Sequence, residues 1–83
     1  MKNWQVYILR CGDDTLYTGI TNDLEKRIQA HSEKRGARYT RSRLPVNLVY
    51  REAADSRSLA SQREIAIKKL TREQKLALIA GHR

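Results

Sequence analysis

Apolar and polar positions alternate twice near the start of the chain. From Trp4 to Arg10, Trp4, Val6 and Ile8 fall on one side and Gln5, Tyr7 and Leu9 on the other, the period of two that a strand requires. Gly12-Asp13-Asp14 reads as a turn and Leu16 to Thr21 as the returning strand. The period then changes. Leu24, Arg27, Ile28 and His31 recur at helical spacing, with Thr21 or Asn22 as cap, Asp23 and Glu25 at the positive end, Lys34 and Arg35 at the negative end, and Gly36 as the stop. Ala37 to Leu44 is a basic loop or short helix, and Pro45 introduces a third strand, Val46 to Arg51. Asp55 or Ser56 caps a helix running to about Leu70, and Thr71 with Gln74 forms a capping box for a last helix ending near Gly81. The order ββαβαα predicts an α+β fold within the broad α/β class: a small three-stranded antiparallel sheet flanked by helices, in one domain spanning residues 1–83.

Some polar residues sit oddly in this pattern. Arg27 and His31 lie on or beside the buried stripe of the first helix. In the next helix an inward stripe of Ala60, Glu64 and Ile67, flanked by Leu59, Ala66 and Leu70, is interrupted by a carboxylate, which is costly there unless a cation answers it. Glu64 at the stripe's edge, paired with Lys68 one turn on, is the alternative. The hairpin leaves a question of parity. A two-residue loop at Asp13-Asp14 would put Tyr7 and Tyr17 on opposite faces of the sheet, whereas a three-residue loop or a bulge would put both on one face. Trp4 reads as core and His82 as part of a frayed end.

Composition narrows the classes. At 40% hydrophobic and 31% charged, the chain of 83 residues is too apolar for a disordered one and reads as soluble. No apolar run approaches a membrane span, and the single cysteine, Cys11, excludes a disulfide framework and a cysteine zinc site, which makes the cytoplasm the expected compartment. Charge is more informative. Seventeen Lys and Arg against nine Asp and Glu give +8, and from Lys34 to Arg51 there are six basic residues and no acid. Arg35, Arg38, Arg41 and Arg43 in that segment are candidate contacts to a polyanion, since the guanidinium fork suits phosphate oxygens. A solvated face that only aids solubility is the other reading. An anionic membrane surface fits less well, because no helix joins a broad apolar face to a basic one. Tyr39, set among these arginines, either stacks on a base or anchors a loop through its ring.

Val6-Tyr7-Ile8, Tyr17-Thr18-Gly19, Arg27 in the first helix and Glu64 in a later one, taken in that order, resemble the GIY-YIG nuclease superfamily, and in particular its small stand-alone bacterial members. Gln5-Val6-Tyr7 stands for GIY and Tyr17-Thr18-Gly19 for YIG, and the stretches LYTGITNDLEKR, GARYTRSRLPVNLVY and EIAIKKLT extend the likeness over nearly the whole chain. The resemblance implies a metal-dependent endonuclease acting on DNA, with RNA less favoured and with DNA repair or damage processing as a role. It implies that Tyr7 is general base or water-positioning group, that Tyr17 hydrogen-bonds nearby, that Gly19 permits close approach and that Arg27 holds the scissile phosphate. Glu64 would ligate one divalent cation, Mg²⁺ above all. His31, beside Arg27, is a candidate second base or a support for the site. A nucleic-acid-binding module with weak or partner-dependent cleavage is the alternative function. A monomer with no membrane partner is expected.

Overall fold

Four consecutive residues of the first strand, Val6, Tyr7, Ile8 and Leu9, are fully buried, so this strand is covered on both faces. The computed structural model describes residues 3–81, and His82 lies outside them. Within these residues the elements run β1 (Trp4–Cys11), β2 (Leu16–Thr21), α1 (Leu24–Ser32), α2 (Arg38–Arg41), β3 (Val46–Ala54), α3 (Arg57–Lys68) and α4 (Arg72–Ala80). The sheet has the order β2-β1-β3 with both pairs antiparallel, as the alternation predicts. Val6 and Ile8 join Tyr50, Ala60 and Ile67 in one core, against which Leu16, Ile20, Leu78 and Ile79 pack. Tyr7 and Leu9 join Leu24 in a second core with Tyr17, Ile28 and Val46. The sheet is thus a middle layer, with α3 and α4 on one face and α1 on the other. None of the helices in the described residues is long and apolar enough to cross a membrane.

The hairpin turn settles the parity. Cys11 N–H donates to Thr15 O at 2.8 Å and Asp14 N–H to Cys11 O at 2.9 Å, leaving Gly12, Asp13 and Asp14 as a three-residue loop, with Asp14 at φ 68°. In the resulting register Tyr7 faces Gly19 and Leu9 faces Tyr17. Both tyrosines therefore share a face. β3 departs from expectation in running past Arg51 to Ala54, and its pairing shifts between Ile8↔Tyr50 and Leu9↔Leu48. Val49 is the extra residue of this bulge, which turns it toward the same core as Tyr50.

Helix ends differ in detail. Three successive cap formers stand at Thr21, Asn22 and Asp23; Asp23, not Thr21 or Asn22, accepts from Lys26 N–H, while Thr21 Oγ1 accepts from Asp23 N–H at 3.0 Å. α1 ends at Ser32 rather than at Gly36, so Lys34 and Arg35 lie beyond it. Lys34 N–H donates to His31 O at 3.1 Å and Arg35 N–H to Ala30 O at 2.7 Å, a Schellman closure with Lys34 at φ 64°. A lysine there carries the left-handed penalty of about 1 kcal/mol. Lys34→Gly should therefore raise the melting temperature, and a lowered one would mean that the lysine side chain contributes more than its backbone costs. Ser56 caps α3, which stops at Lys68, and the Thr71–Gln74 capping box opens α4 as predicted.

Candidate active site

The site begins where β2 has no side chain. A Cβ on Gly19 would lie 2.6 Å from Tyr7 Oη, so the tyrosine ring crosses its neighbouring strand only because glycine stands there. Tyr17 flanks the ring at a centroid distance of 6.3 Å. Arg27 and His31, one turn apart on α1, both reach the phenol: Arg27 Nε donates to Tyr7 Oη at 3.3 Å, and His31 Nε2 lies 2.9 Å from the same oxygen. His31 is fully buried, with Nδ1 2.7 Å from Thr40 Oγ1. A Cβ on Gly36 would meet that Nδ1 at 2.4 Å. Gly36 is therefore needed for the approach of the chain to the imidazole, not as the helix stop that its position suggested.

Burial sets the protonation states. Tyr7 is pushed up to about 12, chiefly by desolvation, with the Arg27 hydrogen bond pulling the other way and the charge of Glu64 adding a small rise. His31 is pushed down to about 4 by burial and then by the positive charge of Arg27. The Arg27 value is itself raised, first by its bond to Tyr7. Neutral phenol and neutral imidazole thus face one another at neutral pH. The depressed histidine has a consequence for stability. Between about 4 and 6.5 the unfolded chain binds a proton that the native one refuses, so stability should fall as pH drops through that window. Asp13 and Glu33, lowered first by bonds from Thr15 and Gln29, begin from 3.8 and 4.5 and act at lower pH. A melting temperature that holds level between pH 7 and pH 5 would show that the imidazole is not desolvated.

Glu64 on α3 is close enough for its charge to act on Tyr7, and its side chain is 21% exposed. Lys68 Nζ lies 3.3 Å from Glu64 Oε2, so the pairing inferred from the helix spacing is present. Leu59 is half exposed and Ala66 exposed, against the apolar flanks expected for this helix. Among the described residues no group of three or more His, Cys, Asp and Glu could hold a metal ion. A single carboxylate open to solvent still fits Mg²⁺, which keeps most of its waters and takes phosphate oxygens as ligands.

The basic segment divides. Arg43 stacks on Tyr39 at 4.0 Å, donates from NH1 to Tyr39 O at 2.8 Å and places Nε 3.0 Å from Asp13 Oδ2, too far off the N–H direction for a hydrogen bond. Tyr39 in turn leans on Tyr17 at 5.8 Å. This is the geometry of a loop anchor. Arg35 is tied to Glu33 through Nε at 3.0 Å and NH2 at 2.6 Å. Arg38 and Arg41 are exposed on α2 and enter no ion pair among the described residues. Tyr7, Tyr17, Gly19, Arg27 and His31 are brought together, with Tyr39 alongside. Sequence patterning missed Thr40, whose partner is nine residues away on another element, and no local spacing marks it.

A tyrosine crosses a glycine gap to meet an arginine and a histidine from one helix, and sequence comparison supplies the class to which such a chain belongs. Residues 3–77 match the GIY-YIG catalytic domain. The chain belongs to the GIY-YIG family, which implies a nuclease acting on nucleic acid. It is similar to the UPF0213 protein CPE1444 of Clostridium perfringens, 60% identical over 92% of this chain and 82% of that one. It is also similar to the UPF0213 protein DP2720 of Desulfotalea psychrophila, 57% identical over 92% and 70%. Among solved structures, that of the UPF0213 protein BH0048 from Bacillus halodurans superposes with a TM-score of 0.61 at 42% identity, covering 94% of this chain and 83% of that one. The E. faecalis protein EF2693 superposes with 0.66 at 38%, covering 96% and 85%. The three-stranded sheet with its helices is thus the fold of these bacterial relatives.

Proposed function

We propose that this protein hydrolyses phosphodiester bonds in DNA, with Mg²⁺ held by Glu64. The observation that carries the reading is the buried Tyr7 phenol meeting both Arg27 and His31 where Gly19 opens the sheet edge. Arg27 would grip two oxygens of the scissile phosphate and offset the charge that grows on them. Tyr7 Oη would accept a proton from the attacking water while passing its own to His31 Nε2. In the resting protein the phenol keeps its proton, because Tyr7 is raised and His31 depressed. Substrate changes that balance: part of the His31 depression comes from the Arg27 charge, and a phosphate paired with Arg27 cancels it, making the imidazole a better acceptor as the substrate arrives. When bound at Glu64, Mg²⁺ supplies Lewis acidity toward the phosphate and the departing oxygen.

The second reading, a binding module with weak or partner-dependent cleavage, is favoured by the Lys68 ammonium already seated on Glu64. Incubating purified protein with labelled single-stranded, flapped, nicked and branched DNA, and the RNA equivalents, in Mg²⁺ or EDTA separates the two. Cleavage in Mg²⁺ alone supports the nuclease; binding without cleavage in either supports the module. Arg38 and Arg41 are exposed and enter no ion pair among the described residues, so replacing both with Gln should weaken binding for all sequences. Each lost contact should flatten the log–log salt dependence by roughly 0.7 to 0.9. An unchanged salt slope would return α2 to the role of a solvated face.

A further inference from the structure

Thr40 is fully buried on a short basic helix, and its hydroxyl has a single proton to give. Two acceptors compete for it: Ala37 O at 2.9 Å and His31 Nδ1 at 2.7 Å. The choice propagates. If the proton goes to Ala37 O, Thr40 Oγ1 must accept from Nδ1–H, Nε2 is bare, and Tyr7 O–H donates to it across 2.9 Å. Every donor of the Thr40, His31 and Tyr7 chain then has an acceptor. If it goes instead to Nδ1, Nε2 carries the imidazole proton and donates to Tyr7 Oη, which already accepts from Arg27. The phenol proton would then have no acceptor among the described residues, although Tyr7 is fully buried. An unmatched buried donor costs about 1–3 kcal/mol, more than a typical hydrogen bond contributes. The first arrangement prevails.

We propose that Thr40 is a positioning residue: its hydroxyl, committed to Ala37 O, holds His31 with the proton on Nδ1, so that bare Nε2 faces the proton of Tyr7. The consequence for cleavage rests on the nuclease reading above. With the Tyr7 proton aimed at His31, the Oη lone pair that Arg27 releases on gripping the phosphate of bound substrate is left for the attacking water. As water loses a proton to Oη and its oxygen bonds to phosphorus, the Tyr7 O–H bond breaks and an Nε2–H bond forms. His31 becomes an imidazolium whose Nδ1–H is still held by Thr40; the P–O bond to the departing oxygen breaks, that oxygen takes a proton from solvent, and the His31 proton returns to solvent through Tyr7, which restores the resting state. In the opposite tautomer Nε2 could accept nothing. Gly36 lets the chain approach the Nδ1 edge of the ring, which holds the imidazole in place.

The tautomer can be read without any activity. Long-range ¹H–¹⁵N correlation on ¹⁵N-labelled protein at pH 7 should give His31 a protonated Nδ1 and a bare Nε2 in the wild type and in Thr40→Ser. Thr40→Val, which keeps the shape and loses the hydroxyl, should show the proton moved to Nε2 or shared between the nitrogens. A wild-type spectrum with the proton on Nε2, or a Thr40→Val spectrum identical to wild type, would overturn the proposal. In single-turnover cleavage Thr40→Val should be slower by roughly tenfold to a hundredfold, by analogy with partners that orient a ligating histidine. Thr40→Ser should restore most of the rate. Equal rates for Thr40→Val and wild type would also overturn it. Failure of the wild type to cleave any substrate would refute the nuclease reading, while the spectra would still decide the tautomer.

Discussion

Replacing Tyr7 with phenylalanine should lower single-turnover cleavage by about 10²- to 10⁴-fold, the range associated with removing a positioned proton-transfer group. Nucleic-acid affinity should change little, because the phenol lies behind Arg27 rather than on the surface that meets phosphate. The variant carries a structural cost as well. The phenol oxygen bonds both Arg27 Nε and His31 Nε2, and its loss leaves a buried imidazole nitrogen unmatched, at about 1–3 kcal/mol. Rates should accordingly be compared well below the melting temperature of the variant. Full activity in a folded Tyr7→Phe protein would make the tyrosine a core residue that happens to end in a hydroxyl.

Glu64→Gln is expected to remove metal-dependent cleavage, with a loss on the order of 10²–10³ in rate, while binding in EDTA stays near wild type. The neutral isostere keeps the helix and abandons the charge. Its effect on stability should be small, since the Lys68 partner sits one turn away on an exposed surface and such a pair contributes a few tenths of a kcal/mol. Turnover that survives the substitution would exclude Glu64 from the mechanism. A large drop in melting temperature would instead assign the carboxylate to the packing of α3. Titration with Mg²⁺ followed by isothermal calorimetry gives a readout independent of cleavage: heat in the wild type that is missing from Glu64→Gln locates the ion.

The strands and helices were legible because their periods and caps are local. Val6 and Ile8 against Tyr7 and Leu9, and Thr71 with Gln74, state their geometry within a few residues. Features decided by two elements at once were not. The extra residue at Val49 exists only relative to β1, and the prolongation of β3 to Ala54 depends on having β1 to pair with. The end of α1 at Ser32 was hidden because a lysine, not a glycine, adopts the left-handed turn. At the site, Arg27, His31 and Glu64 stood out as polar groups on or beside apolar faces, Tyr7 and Tyr17 were marked by the family resemblance, and the hairpin register then put both tyrosines on one face. Arg43 illustrates the reverse failure. Composition groups it with three neighbouring arginines as a phosphate contact, yet its guanidinium is occupied by Tyr39 and faces Asp13 on the hairpin loop, a residue 30 positions away in the chain.

The complete burial of Tyr7 and His31 bears on how inactive descendants of such a protein are to be recognised. Active-site residues usually sit in the open and are lost first when selection on turnover lapses. Here the base candidate and its proton acceptor are also structural, and a chain that had given up cleavage would keep both simply to stay folded. Glu64 and Arg27, partly open to solvent and cheaper to replace, are the positions where disuse would register. On the proposed mechanism, retention of the tyrosine in a homologue would speak for the architecture, and retention of the carboxylate and the arginine for catalysis.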